Sequence, residues 1–275
     1  MLCHGGGTSR DVAGQWRPGR DDPWRAGGSG AVWRRNCRAR RGAAGVTRWL
    51  ILDLCGPMMA FGGVAVDQVG PVRDFPALSM ITGLVANALG LDWRERQAHA
   101  QLQSRLVLAS VVVEEPERVT DMQNAQLAAA DKGWTTRNMP EGRDGGTYGA
   151  PHRRARAYLA DGRVICVLRL KDMAGPDLDQ VKTALQCPAR PLFLGRKPCL
   201  PSRPVLGGEV AGQTAHEALK AALLAHGITG SLRAQWPMGQ GPDDGAQDLA
   251  DLRNWRTGLH GGRRAVQTGR IGAMA

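Results

Sequence analysis

The sequence predicts an α+β fold built on a ferredoxin-like, RRM-like sheet. Three observations carry that expectation: a strand–helix–strand pattern between residues 48 and 113, an interruption without sustained apolar periodicity, and a second strand–helix–strand pattern ending near residue 194. Two such units in succession are how an antiparallel sheet with two crossover helices reads along a chain.

The first strand is Arg48-Trp49-Leu50-Ile51-Leu52-Asp53-Leu54, an apolar run stopped by Gly56-Pro57. A Gly-rich connection through Gly62, Gly63 and Gly70 leads to Pro76, after which Leu78, Ile81, Leu84, Val85 and Ala88 recur at helical spacing up to Gly90. Residues 106–113, rich in valine, make the second strand. Val164-Ile165-Cys166-Val167-Leu168 is the third, followed by a helix opened by Gly175-Pro176 with Leu178, Val181 and Leu185 on one face. Leu192-Phe193-Leu194 gives a short fourth strand. Further on, Thr214 and Glu217 form a capping box for a helix carrying Leu219, Ala222 and Leu223, with Gly227 at its C-terminus. Residues 231–236 read as one more strand. Beyond Pro237 the chain is Gly-rich, and Leu249 to Leu252 offers at most one helical turn.

Composition sets the class of partner. The 275 residues carry a formal charge of +11 and a pI near 10.1, with 43% hydrophobic residues, too many for a wholly disordered chain. No stretch reaches the roughly 18–20 apolar residues of a membrane helix. The positive charge points to an anionic partner, most simply nucleic acid. It is unevenly spread, however. Residues 1–45 hold nine arginines against three aspartates, which is +6 of the total and leaves +5 for the other 230 residues. This segment is rich in Gly, Arg and Trp and lacks both periodicity and the apolar centre of a signal peptide. It reads either as a disordered basic arm or, the favoured reading, as sequence upstream of a start at Val46. Six scattered cysteines, with no C-x-x-C pair, support neither a zinc site nor a disulfide framework and fit a reducing, cytoplasmic setting. Cys55 and Cys166 sit in apolar runs as core residues.

The familiar catalytic and cofactor signatures are missing: there is no G-x-x-x-x-G-K-[ST], G-x-G-x-x-G, H-E-x-x-H or G-x-S-x-G. No cofactor, metal or small-molecule substrate is expected. Asp243, Asp244, Asp248 and Asp251 read as a solvated face rather than a cation site. His216 is expected at the surface, and His226 suits the negative end of its helix. In the interruption, residues 119–158, cations are interleaved with aromatics: Arg137, Arg143, His152, Arg153, Arg154 and Arg156 beside Trp134, Tyr148 and Tyr158. Phosphates would be neutralised by the first group and bases stacked on the second. His152 has an alternative, as the base of a metal-independent ribonuclease taking a proton from a 2′-hydroxyl. A second basic site is Gly195-Arg196-Lys197, where a glycine before two cations lets backbone approach a phosphate chain.

These motifs resemble the CasD family, subunits of the type I-E CRISPR surveillance complex (Cascade) within the repeat-associated superfamily. The opening strand and loop Trp49-Leu50-Ile51-Leu52-Asp53-Leu54-Cys55-Gly56-Pro57-Met58-Met59-Ala60-Phe61-Gly62 resemble the family's G-P-M-x-[AS]-[WF]-G loop. Phe75-Pro76, Ser79 and Gly83-Leu84 are similar to its first helix, with Ala77 in place of a usual Thr. Thr120-Asp121-Met122-Gln123 is similar to a T-D-Y-[HQ] segment, with Met122 for the aromatic, and Arg156-Ala157-Tyr158-Leu159-Ala160-Asp161 to R-x-Y-L-x-D. Leu194-Gly195-Arg196-Lys197-Pro198-Cys199 resembles the late L-G-R-[RK]-x-C signature.

The resemblance implies a core at 46–118 and 159–200, a protruding thumb at 119–158 and a small C-terminal extension at 201–275, all in one domain after the 1–45 extension. It implies a non-catalytic RNA-binding subunit in antiviral defence that holds the 5′ handle of the CRISPR RNA and meets the backbone and large subunits. Contacts to RNA would come from the loop through Met58, Met59, Phe61 and Gly62, from the thumb residues above, and from Gly195, Arg196 and Lys197. In the type I-C branch the corresponding subunit is the nuclease, which keeps repeat-RNA cleavage by His152 as the alternative.

Overall fold

The apolar run at residue 49 fails to alternate because both of its faces are buried. In the computed structural model, which describes residues 47–64, 68–125, 133–134, 140–141 and 152–273, strand β1 (Arg48–Met59) sends Leu50, Leu52 and Leu54 into one core. Trp49 and Ile51 enter a second core on the opposite side of the sheet. The basic extension, 1–45, lies outside the described residues.

A two-residue strand β2 (Val69–Gly70) precedes helix α1 (Leu78–Ala88), which buries Leu78, Ile81, Leu84, Val85 and Ala88 as the spacing predicts. Helix α2 (Arg96–Arg105) has no counterpart in the sequence reading. It buries only His99, Leu102 and Arg105, too few apolar groups to make a stripe. Strand β3 (Leu106–Glu114) is apolar on both faces for the same reason as β1. Strand β4 (Glu117–Ala125) follows, then the two-residue pair β5 (Gly133–Trp134) and β6 (Pro140–Glu141). Strand β7 (His152–Leu170) is 19 residues long. Helix α3 (Leu178–Gln186) opens on a reciprocal capping box between Asp177 and Gln180.

Strand β8 (Leu206–Ala211) leads to helix α4 (Ala215–Ala225), whose cap differs slightly from expectation. Thr214 accepts from the Glu217 amide, but Glu217 reaches back to the Gln213 amide rather than to that of Thr214. At the other end Gly227 and Ile228 return their amides to Leu224 and Leu223, a glycine-terminated helix end. Strands β9 (Gly230–Pro237), β10 (Ala246–Leu249) and β11 (Arg264–Ala273) complete the described chain.

The main sheet runs β10-β11-β9-β3-β7-β1-β8, antiparallel at every step, with β2 and β4 attached to the outer half of β7. Helices α1 and α3 pack on one face, with the core of Leu52, Leu108, Cys166 and Leu168. Helix α4 packs on the other, with Trp49, Val167, Trp236 and Ile271. Trp49 and Trp236 are fully buried, and each indole N–H is satisfied by a carbonyl, of Gly212 and Pro242.

Three expectations are corrected. Residues 192–194 are not a strand: Pro191 and the turn at Gly195 leave them as a loop whose Leu192 and Leu194 still face the core. The fourth strand of the antiparallel set is β8, hidden in the sequence by its two glycines. The interruption is also less irregular than its composition suggests. Its two ends are β4 and the outer half of β7, paired from Glu117↔Ala160 to Ala125↔His152. Both faces of this ribbon carry polar residues, so no apolar alternation marks it. Finally, the chain past Pro237 is no mere appendage, since β10 and β11 extend the main sheet through β9.

Candidate nucleic-acid interface

Two motifs far apart in sequence are one structure. The Ala60 amide, just after β1, donates to the Leu194 carbonyl at 2.8 Å, and the Ser202 amide donates to the Cys55 carbonyl at 2.8 Å. Gly195 lies at φ +102°, and a Cβ there would stand 1.7 Å from the Ala60 carbonyl oxygen. Only glycine permits that approach. The corner closes on itself through Leu194 N–H to Cys199 at 2.7 Å and Cys199 N–H to Arg196 at 2.9 Å. Burial holds the Cys199 thiol above its ordinary range.

Not all of the loop can touch a ligand. Met58 is 37% exposed and Gly62 half-buried, whereas Met59 and Phe61 are fully buried. The expected RNA contacts of Met59 and Phe61 are therefore corrected: they anchor the loop in the core.

The ribbon brings the next group. Arg154, Arg156 and Tyr158 alternate with Arg153, Ala155 and Ala157 along β7, and Asp121 of β4 stands opposite Arg156 in register. Arg153 is exposed, and Arg156 donates to the Gln68 carbonyl at 3.4 Å. Tyr158 is only 4% exposed, with the Arg196 guanidinium 4.7 Å above its ring centre. Its expected role in stacking on splayed bases does not survive that cover. Arg196 itself donates to the carbonyls of Ala157 at 2.9 Å and Gly70 at 3.3 Å, while Lys197 is exposed and makes no ion pair among the described residues. His152 opens β7 opposite Ala125, and Trp134 belongs to β5; Arg137, Arg143 and Tyr148 lie outside the described residues.

Loop, corner and ribbon meet at a cleft of about 550 Å³, lined by Gly62, Arg156, Gly195, Arg196 and Lys197, by Ser79, Met80 and Gly83 of α1, and by Arg253, Trp255 and His260. The last three were missed in the sequence. Their signal was present in Arg253-Asn254-Trp255-Arg256 and His260, cations around a tryptophan, but the Gly-rich surroundings masked it. Burial, with Arg253 and Arg73 nearby, lowers the pKa of His260.

The acidic cluster divides. Asp243, Asp244 and Asp248 are exposed, as expected of a solvated face, but Asp251 is fully buried. Its carboxylate takes a bidentate pair from Arg264 and accepts the Leu78 amide at 2.9 Å, so it caps α1 from a distant part of the chain. Asp53, inside the first strand, is likewise held by Arg163 at 2.8 and 2.9 Å. No group of three metal-ligating side chains gathers among the described residues. His216 is half-buried rather than superficial, packed edge-on against Trp236 at 4.9 Å, and burial lowers its pKa. No helix among the described residues is long and apolar enough to cross a membrane.

The chain is 25% identical over 171 residues to the CRISPR system Cascade subunit CasD of Escherichia coli (strain K12), covering 62% of this chain and 75% of that protein. The fold is similar to a chain of a CRISPR RNA-guided surveillance complex, with a TM-score of 0.57 at 18% identity over 82% of this chain and 90% of that one. It is also similar to a Cas protein solved as a crystal structure, with a TM-score of 0.51 at 20% identity over 82% and 94% of the two chains. Residues 49–267 match the family described as CRISPR-associated protein (Cas_Cas5), and the chain belongs to that family.

Proposed function

We propose that this protein is a non-catalytic subunit of a CRISPR surveillance complex and holds the 5′ handle of the CRISPR RNA, in contact with the backbone and large subunits. Family membership supports the assembly. The observation that carries RNA binding is the convergence of loop, corner and ribbon on one cleft, with Lys197 and Arg156 in its lining and Arg153 exposed farther along the ribbon. The order β3-β7-β1-β8, with α1 and α3 on one face, supports a ferredoxin-like core, and the β4–β7 ribbon supports the base of a thumb.

The test is binding of labelled handle RNA over a salt series. Arg153→Ala with Lys197→Ala should weaken binding and reduce the salt slope by about 0.7 per lost phosphate contact. An unchanged affinity and slope would reject the reading. Incubating the protein with labelled repeat RNA in EDTA addresses catalysis: no cleavage is expected, and cleavage abolished by His152→Ala would overturn the non-catalytic assignment.

A further inference from the structure

We infer that the turn from Arg253 to His260 is a phosphate clamp for single-stranded RNA, sharing the cleft with Lys197; this rests on the RNA-binding reading above. The turn is built to hold cations in place. Gln103 of α2 grips it with one amide: its Nε2 donates to the Arg253 carbonyl at 3.1 Å, and its Oε1 accepts from the Arg253 amide and the Trp255 indole, each at 3.1 Å. The Asn254 side chain accepts from the amides of Arg256 and Thr257, and a bridge joins Arg253 to His260. The Trp255 ring packs on His99 at 4.7 Å, and the Arg253 guanidinium lies 5.2 Å from its centre.

The charges on this turn are not spent on neutralising one another's neighbours. Residues 252–275 contain no Asp or Glu. Arg264 is committed to Asp251 and Arg263 lies near Asp248, but Arg253 and Arg256 are exposed and form no ion pair among the described residues. An acid-free turn whose backbone is held in place puts Arg253 in the lining of the cleft with Arg156 and Lys197 and leaves Arg256 exposed beside it, so that cations are available to successive phosphates.

The experiment uses the full chain, a labelled handle RNA and an oligouridylate of equal length. Arg253→Ala with Arg256→Ala should weaken both RNAs about tenfold and lower the salt slope by about 1.4 with only a small loss of thermal stability, because Gln103 holds Arg253 by its backbone and only the stack on Trp255 is lost. Arg253→Lys with Arg256→Lys should restore most of the affinity. Wild-type affinity in the alanine variant, while Arg153→Ala with Lys197→Ala still binds weakly, overturns the clamp and leaves the RNA-binding reading standing. Wild-type affinity in both variants removes both. Failure of the lysine variant to restore binding, or intact RNA binding with loss of assembly with partner subunits, overturns the clamp in favour of a structural or protein-contact role.

Discussion

The guanidinium of Arg196 covers the ring of Tyr158 at 4.7 Å and ties the corner to β7 and β2 through the Ala157 and Gly70 carbonyls. A residue picked out as a phosphate contact is thus a tie between segments, and the neighbouring Lys197 is the accessible cation.

Arg196→Ala should lower stability by about 1–3 kcal/mol, the range for charged hydrogen bonds to carbonyls with a cation–π contact added. Arg196→Lys keeps the charge but loses the paired donors and the planar stack, so it should remain destabilised. Urea unfolding of both variants checks this. Wild-type stability in the lysine variant would show that charge alone matters at this position.

Gly195→Ala should be among the most damaging glycine substitutions at the described residues, because its Cβ would enter the Ala60 carbonyl and its φ is positive. The cost should exceed 2 kcal/mol, since backbone on both sides must part. Gly227 is the comparison: at φ +65° with nothing within 4 Å, its alanine variant should lose only about 1 kcal/mol. Equal melting temperatures for the two variants would contradict the close approach of loop and corner.

Asp251 couples the C-terminal part of the chain to α1. Replacing it with Asn leaves Arg264 buried without its counter-charge, a change that costs about 3–5 kcal/mol in comparable pairs. The signature is local. Hydrogen exchange at the Leu78 and Ser79 amides, which bond the Asp251 carboxylate and carbonyl respectively, should accelerate more than exchange in α4. Uniform acceleration across the fold would mean that the pair does not act as a cap.

What the sequence makes legible follows from burial. Strands β1 and β3, the inner half of β7, and helices α1, α3 and α4 announce themselves because their apolar residues are inside. Helix α2 and the β4–β7 ribbon do not, because polar residues cover most of their surface. Strands β8 and β11 each contain glycines that interrupt the usual strand pattern. The same logic explains the site. Cations and aromatics could be read as residue types, but only the fold shows Tyr158, Met59 and Phe61 turned inward and Trp255 brought to the cleft. The burial of Asp251 is illegible for a related reason: among acidic neighbours in a Gly-rich segment, nothing local signals that one carboxylate is buried against Arg264.

Stability should also fall in acid through a defined group. Glu209 of β8 is held by Arg48 of β1 and by Lys182 of α3, the latter at 2.9 Å, and hydrogen bonds from Arg48 first and Lys182 second bring its pKa down to about 2. A folded pKa below the unfolded value of about 4.3 means that the unfolded chain binds more protons between those limits. The contribution is therefore complete above about pH 4.5 and is lost as pH falls through about 2. Glu209→Gln should melt a few °C below wild type at pH 7, with the gap closing toward pH 2. Asp179 is also held low by Arg48, but it is 68% exposed, so Asp179→Asn should change the profile far less. Melting curves of the three proteins between pH 7 and pH 2.5 separate these outcomes, and a gap for Glu209→Gln that stays constant across the range would remove Glu209 as the titrating group.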